Sequence, residues 1–107
     1  MTKNYTMFES INKAVDTIPT ESIVSRTIYK DDSLKSIVFA FAPGQELSEH
    51  TASVPAIIQI LEGECTLTLG SDSFNAKPGF WAHMQPNLKH SLLAKTPVIM
   101  LLLMMSK

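Results

Sequence analysis

Apolar and polar residues alternate with a period of two in one short segment after another, and each segment stops at turn-forming residues. Such a chain is committed to β-structure, because successive side chains of a strand point to opposite faces of a sheet. Residues 23–30 set Val24, Arg26 and Ile28 against Ile23, Ser25, Thr27 and Tyr29, and they are rich in β-branched side chains. Asp31, Asp32 and Ser33 then turn the chain. Residues 34–42 form a second strand ended by Pro43-Gly44, and residues 54–61 a third ended by Glu62-Gly63. Residues 64–69 are expected to pair back onto 74–76 across Gly70-Ser71-Asp72-Ser73. Residues 81–85 and 90–94 follow, split by Pro86-Asn87.

The last strand, residues 98–105, is apolar on both faces. A strand in an antiparallel protein normally alternates, so this one needs cover from its own barrel on one side and from something else on the other. A second copy of the chain is the simplest cover, and a homodimer through this strand is expected. About eight short strands with regularly spaced turns indicate an all-β fold, and a jelly-roll barrel fits best. Phe8, Ile11, Ala14 and Val15 have a loose helical spacing, read as a short N-terminal helix or an irregular arm within residues 1–20.

With 107 residues there is room for one domain, 1–107. Nine basic and ten acidic residues leave no basic stripe for a phosphate backbone, which argues against nucleic acid as a partner. A membrane surface lacks support for the same reason, and no apolar run approaches the roughly 20 residues that span a bilayer. The lone cysteine, Cys65, has no intrachain partner, and with no secretory signal the expected compartment is the cytoplasm. No Ser-His-Asp order, phosphate-binding glycine loop or C-x-x-C motif is present, and no paired carboxylates stand out.

The polar residues that remain are few. His50 lies six residues after Gly44, the stretch 60–64 closes at Gly63, and Pro78-Gly79 precedes His90. In these features the chain resembles the small single-domain cupins, over residues 34–104. The first cupin motif runs from a glycine to a His-x-His pair, then to an acidic or histidine ligand before a closing glycine. Gly44, His50 and Gly63 fall into that register, and Pro78, Gly79 and His90 match the second motif. The second histidine of the pair falls on Ala52, however, and the ligand seven residues before Gly63 falls on Ala56. Alanine has no donor atom, so the resemblance carries over only His50 and His90 as metal ligands.

His83 is a third candidate. If residues 81–85 and 90–94 form a simple hairpin, Gln85 opposes His90, and His83 lies on the same face as His90 about 7 Å away. Three neutral imidazoles around an open position suit a divalent ion such as zinc, iron, nickel or copper. Gln59, Trp81 and Gln85 are the candidates for substrate contact, although strand parity turns Gln59 outward if Ala56 faces in. Trp81 also reads as barrel or interface packing. Three functions follow: a metal-dependent oxygenase or isomerase, a ligand-binding or sensing barrel without turnover, and a structural dimer.

Overall fold

In the computed structural model, which describes residues 4–106, nine strands make two facing antiparallel sheets. They are β1 (Ile23–Lys30), β2 (Leu34–Phe41), β3 (Glu46–His50), β4 (Ala56–Glu62), β5 (Cys65–Leu69), β6 (Asp72–Ala76), β7 (Trp81–Met84), β8 (His90–Ala94) and β9 (Val98–Met105). One sheet has the order β1-β2-β9-β4-β7 and the other β3-β8-β5-β6, so the jelly roll is two sheets packed together rather than a closed cylinder. β3 is the strand that alternation did not bring out, being short and largely exposed.

The core lies between the sheets. Phe41, Ile58, Ile60, Leu67, Leu92 and Met100 are its large buried members, with Cys65 among them as expected of a small core residue. The turn glycine Gly63 is fixed by its surroundings. Its φ is +85°, and a Cβ there would lie 2.0 Å from the Pro97 carbonyl oxygen, so no other residue fits. The β5–β6 turn is tighter than expected, with Leu69 paired directly to Asp72.

The two-sided strand β9 sits in the middle of the five-stranded sheet. Its Met100, Leu102 and Met104 face the core, while Ile99 and Leu101 join Val38 and Ala40 on the outer face. The first cover for that outer face is the chain itself: Ala14, Val15 and Ile18 of the N-terminal arm pack there. Arg26 donates to the Ala14 carbonyl at 3.0 Å, and Asn12 donates to the Glu62 carboxylate at 2.8 Å, so the arm is tied down at two points. The arm is irregular apart from one 3-10 turn, Ile11–Lys13, because its loose apolar spacing serves as an overlay rather than as a helix. Further along the strand, Leu103 and Met105 are half-buried as well.

The expected β7–β8 hairpin does not form. β7 pairs with β4 in one sheet and β8 with β3 and β5 in the other, so the turn at 85–89 crosses between sheets. His83 is therefore opposite Ile57, and Gln85 is not opposite His90.

Candidate site: a histidine pair at the mouth of an apolar cavity

His50 and His90 come together. They are register partners on β3 and β8, with ring centroids 4.1 Å apart and the planes tilted by 58°. Leu47 pairs with Leu92 further along the same two strands, and the register shifts between Leu47 and His50. Three residues on β3 span the distance that two cover on β8, which is a β-bulge, and it turns His50 toward the same side as His90. The turn before β8 is held to the segment after β3 by the Asn87 amide, which donates to the Ala52 carbonyl at 2.7 Å.

Both imidazoles are oriented by their own backbone. The Nδ1 of His50 lies 2.7 Å from the Ser48 carbonyl oxygen, and the Nδ1 of His90 lies 2.9 Å from that of Leu88. A carbonyl only accepts, so each Nδ1 carries the proton and each Nε2 keeps its lone pair. His90 is 7% exposed, whereas His50 is open to solvent. Burial holds the His90 imidazole below its ordinary titration range; the Leu88 carbonyl opposes that shift and nearby His50 adds to it. His90 thus stays neutral, and an acceptor at Nε2, further into acid than a free imidazole.

The pair stands on the wall of a cavity of about 90 Å³ between the sheets. Its apolar lining comes chiefly from Phe39, Ile58, Leu67, Leu92, Met100 and Leu102, and no carboxylate contributes. A wider groove of about 550 Å³ runs beneath the N-terminal arm past Phe8, Ile28 and Tyr29, but it is open and has no histidine. Convergent polar groups on an apolar hollow are what distinguish a binding site from a surface dent, and they occur at the smaller cavity.

His83 is not brought to this pair. It lies exposed on the outer face of the five-stranded sheet, with Trp81 two residues away and 58% exposed. Met84, the next and last residue of β7, faces the core, so His83 and Trp81 face outward, and β7 and β8 belong to different sheets, which keeps His83 from the pair. Gln59, opposite Trp81, is half-buried on that outer face, and Gln85 is exposed at the end of β7, so none of the three candidate substrate contacts lines the cavity. Leu47 and Ser91 do line it and were not anticipated. The signal for Leu47 was its place just before the motif histidine, which a segment read as a loop concealed.

The chain matches a cupin-superfamily protein of Desulfitobacterium hafniense DCB-2 with a TM-score of 0.84, over 98% of this chain and 97% of that one, at 19% identity. The fold is that of a cupin. The chain is also similar to a conserved protein of unknown function from Streptococcus pyogenes, with a TM-score of 0.80 at 22% identity over 100% of this chain and 91% of that one. A third match is the DMSP lyase DddQ of Ruegeria pomeroyi DSS-3, with a TM-score of 0.73 at 19% identity, over 79% of this chain and 47% of the lyase. No sequence-family model matches the chain, and no curated protein does either. At these identities the likeness is one of fold, and one fold hosts many functions. Among the described residues, no three His, Cys, Asp or Glu side chains gather as a metal-holding group, and no helix is long and apolar enough to cross a membrane.

Proposed function

We propose that this cupin is a cytoplasmic small-ligand-binding or sensing barrel, whose cavity takes a compact apolar body and whose His50 and His90 accept hydrogen bonds from the ligand's polar end. The observation that carries the reading is the convergence of two imidazoles, each with its Nδ1 on a backbone carbonyl and its Nε2 left for a ligand, on an apolar hollow. The cavity holds about three water molecules' share of liquid, so the ligand is small: a short diol, a small phenol or a protonated acid.

The divalent-metal reading fits less well. A catalytic divalent centre is usually held by three protein ligands, and here two imidazoles converge, with alanines at positions 52 and 56 and His83 on the far side of a sheet. The dication would also lie on an apolar wall with no carboxylate to balance it. An oxygenase or isomerase that depends on a firmly held reactive ion is correspondingly disfavoured against binding without turnover.

The test is a thermal-shift and calorimetric screen of chelator-treated protein against small phenols, diols and carboxylic acids. A ligand at 100 times its Kd is expected to stabilise the fold by about 2.7 kcal/mol. The response should vanish in His90→Ala. A complete absence of hits, or hits that survive both His50→Ala and His90→Ala, would refute the reading.

A homodimer remains part of the proposal, now placed on the outer face of the five-stranded sheet. Support comes from the half-buried pair Ile57 and Leu103 beside exposed Trp81, on the same outer face.

A further inference from the structure

The groove beneath the N-terminal arm carries polar groups of its own, and a bulge in β1 places them there. Thr27 pairs with Ile37 and Tyr29 with Ser36, so Ile28 is an extra residue in β1 with no partner on β2. Without it Tyr29 would oppose Lys35 and share the core-facing parity of Phe39 and Phe41. With it, Tyr29 and Ser36 take the parity of Val38 and Ala40 on the outer face, and both line the groove. An added residue re-aims side chains in this way, and bulges are over-represented beside active sites.

Ser36 is only 7% exposed, and its hydroxyl makes no hydrogen bond to any described residue. A hydroxyl set that deep in a wall needs a partner, and the occupant of the groove is the group placed to supply it. At the other end of the Tyr29 side chain is Asp31, which also lines the groove. Its carboxylate accepts hydrogen bonds from the Tyr29 hydroxyl at 2.5 Å and from the Ser33 and Leu34 amides at 2.8 Å each. These donors, the Tyr29 hydroxyl foremost, hold the carboxyl below its ordinary range and therefore charged. The rest of the wall is largely apolar, with Ile28 and Leu34 from the sheet and Phe8 from the arm. The Arg26 guanidinium sits 5.9 Å from the centre of the Phe8 ring, so the groove is positive at its Phe8 end and negative at its Asp31 end.

We propose that this groove binds a small hydroxylated amine, about as long as a tyrosine side chain, with its ammonium on Asp31, its apolar body along Tyr29 and Ile28, and its hydroxyl on Ser36. The carboxylate is already aimed by its three donors, and the face of a tyrosine ring attracts a cation beside it. A volume of about 550 Å³ admits such a molecule. The site lies on the outer face of the five-stranded sheet, away from the cavity between the sheets, and stands without the histidine pair.

The experiment is a titration of the full chain with tyramine, read from amide chemical shifts by NMR. Two analogues run beside it: phenethylamine, which lacks the hydroxyl, and 4-hydroxyphenylpropionate, which has a carboxylate in place of the ammonium. Tyramine is expected to bind with a Kd of about 1 mM and to shift the amides of Ile28, Tyr29, Leu34 and Ser36, while the carboxylate analogue leaves them in place. Asp31→Asn keeps an acceptor for the Ser33 and Leu34 amides and should weaken tyramine about threefold or more. Asp32 does not line the groove, so Asp32→Asn should stay within about twofold. Phenethylamine should bind about threefold more weakly than tyramine, and Ser36→Ala, which breaks no side-chain hydrogen bond of the fold, should close that gap. No shifts at the groove, shifts confined to cavity residues such as Phe39 and Leu92, equal losses in Asp31→Asn and Asp32→Asn, or a gap that persists in Ser36→Ala would each overturn the proposal.

Discussion

His83 and His90 are separated by seven positions in the chain and end on opposite sides of a sheet. His90 is packed at the cavity wall with its Nδ1 hydrogen-bonded to backbone, whereas His83 stands in the open on the outer face of the neighbouring sheet. The same side chain thus becomes a tuned acceptor in one place and an ordinary surface group in the other. What separates them is the crossing at residues 85–89, which sends β7 to β4 and β8 to β3. A histidine's chemistry here is set by which sheet its strand joins.

The sharpest way to break this contrast between inner and outer faces is at β9. Leu102 packs against the core, so Leu102→Asp is expected to bury an uncompensated charge and leave the chain unfolded by circular dichroism. Leu103, one residue on and facing outward, should tolerate Asp as a folded monomer, with sedimentation reporting the loss of self-association. Folding of Leu102→Asp would show that the facing is wrong, and a dimer that persists in Leu103→Asp would remove the outer sheet as an interface.

Gly63→Ala should cost about 3 kcal/mol or more in urea unfolding, since it combines a left-handed backbone with a clash against the Pro97 carbonyl. Leu92→Ala removes a core side chain whose neighbours include the cavity, and about 3 kcal/mol is expected. An unchanged urea midpoint in either variant would contradict the packing described. For ligand binding, His90→Ala should lose at least tenfold in affinity while His83→Ala stays within twofold, measured by calorimetry. Equal losses would mean that the two histidines share a site after all.

The smallest expected effect is on pH dependence. Burial depresses the His90 titration in the folded chain below its ordinary value near 6.5. The unfolded chain therefore takes up a proton first as pH falls. Stability contributed by the neutral ring is present above about pH 6.5, declines as pH drops toward the folded value, and is fully lost below it. Urea midpoints measured from pH 7.5 down to 5 should show this decline, and His90→Gln should flatten it. An identical slope in the variant would assign the decline to other groups.

Much of the fold was legible along the chain. β1, β2, β4 and β5 announce themselves by alternation, and the double-sided β9 correctly demanded cover on both faces. What sequence order concealed was which strands pair. A turn at Pro86-Asn87 between two strands looks the same whether it closes a hairpin or crosses between sheets, and the assumption of a hairpin placed His83 beside His90. Part of the cover for β9 comes from the same chain, which the loose spacing of Ala14, Val15 and Ile18 does not advertise. His50 and His90 were found through the motif, but their direct contact depends on a long-range register that no local pattern encodes.

The bulge in β3 makes the identity of the site a question of spelling length rather than of letters. Counting back from the Leu47–Leu92 pair, an unbulged strand would set Glu49, not His50, across from His90. Deleting Ser48 or Glu49 would straighten the strand and keep His50 across from His90, whereas inserting one residue between Leu47 and Glu49, with the bulge kept, would put Glu49 there and exchange a bis-imidazole for an imidazole–carboxylate pair while removing neither histidine. Within a single lineage of such proteins, a one-codon gain in this short edge segment would be enough to trade one ligand preference for another.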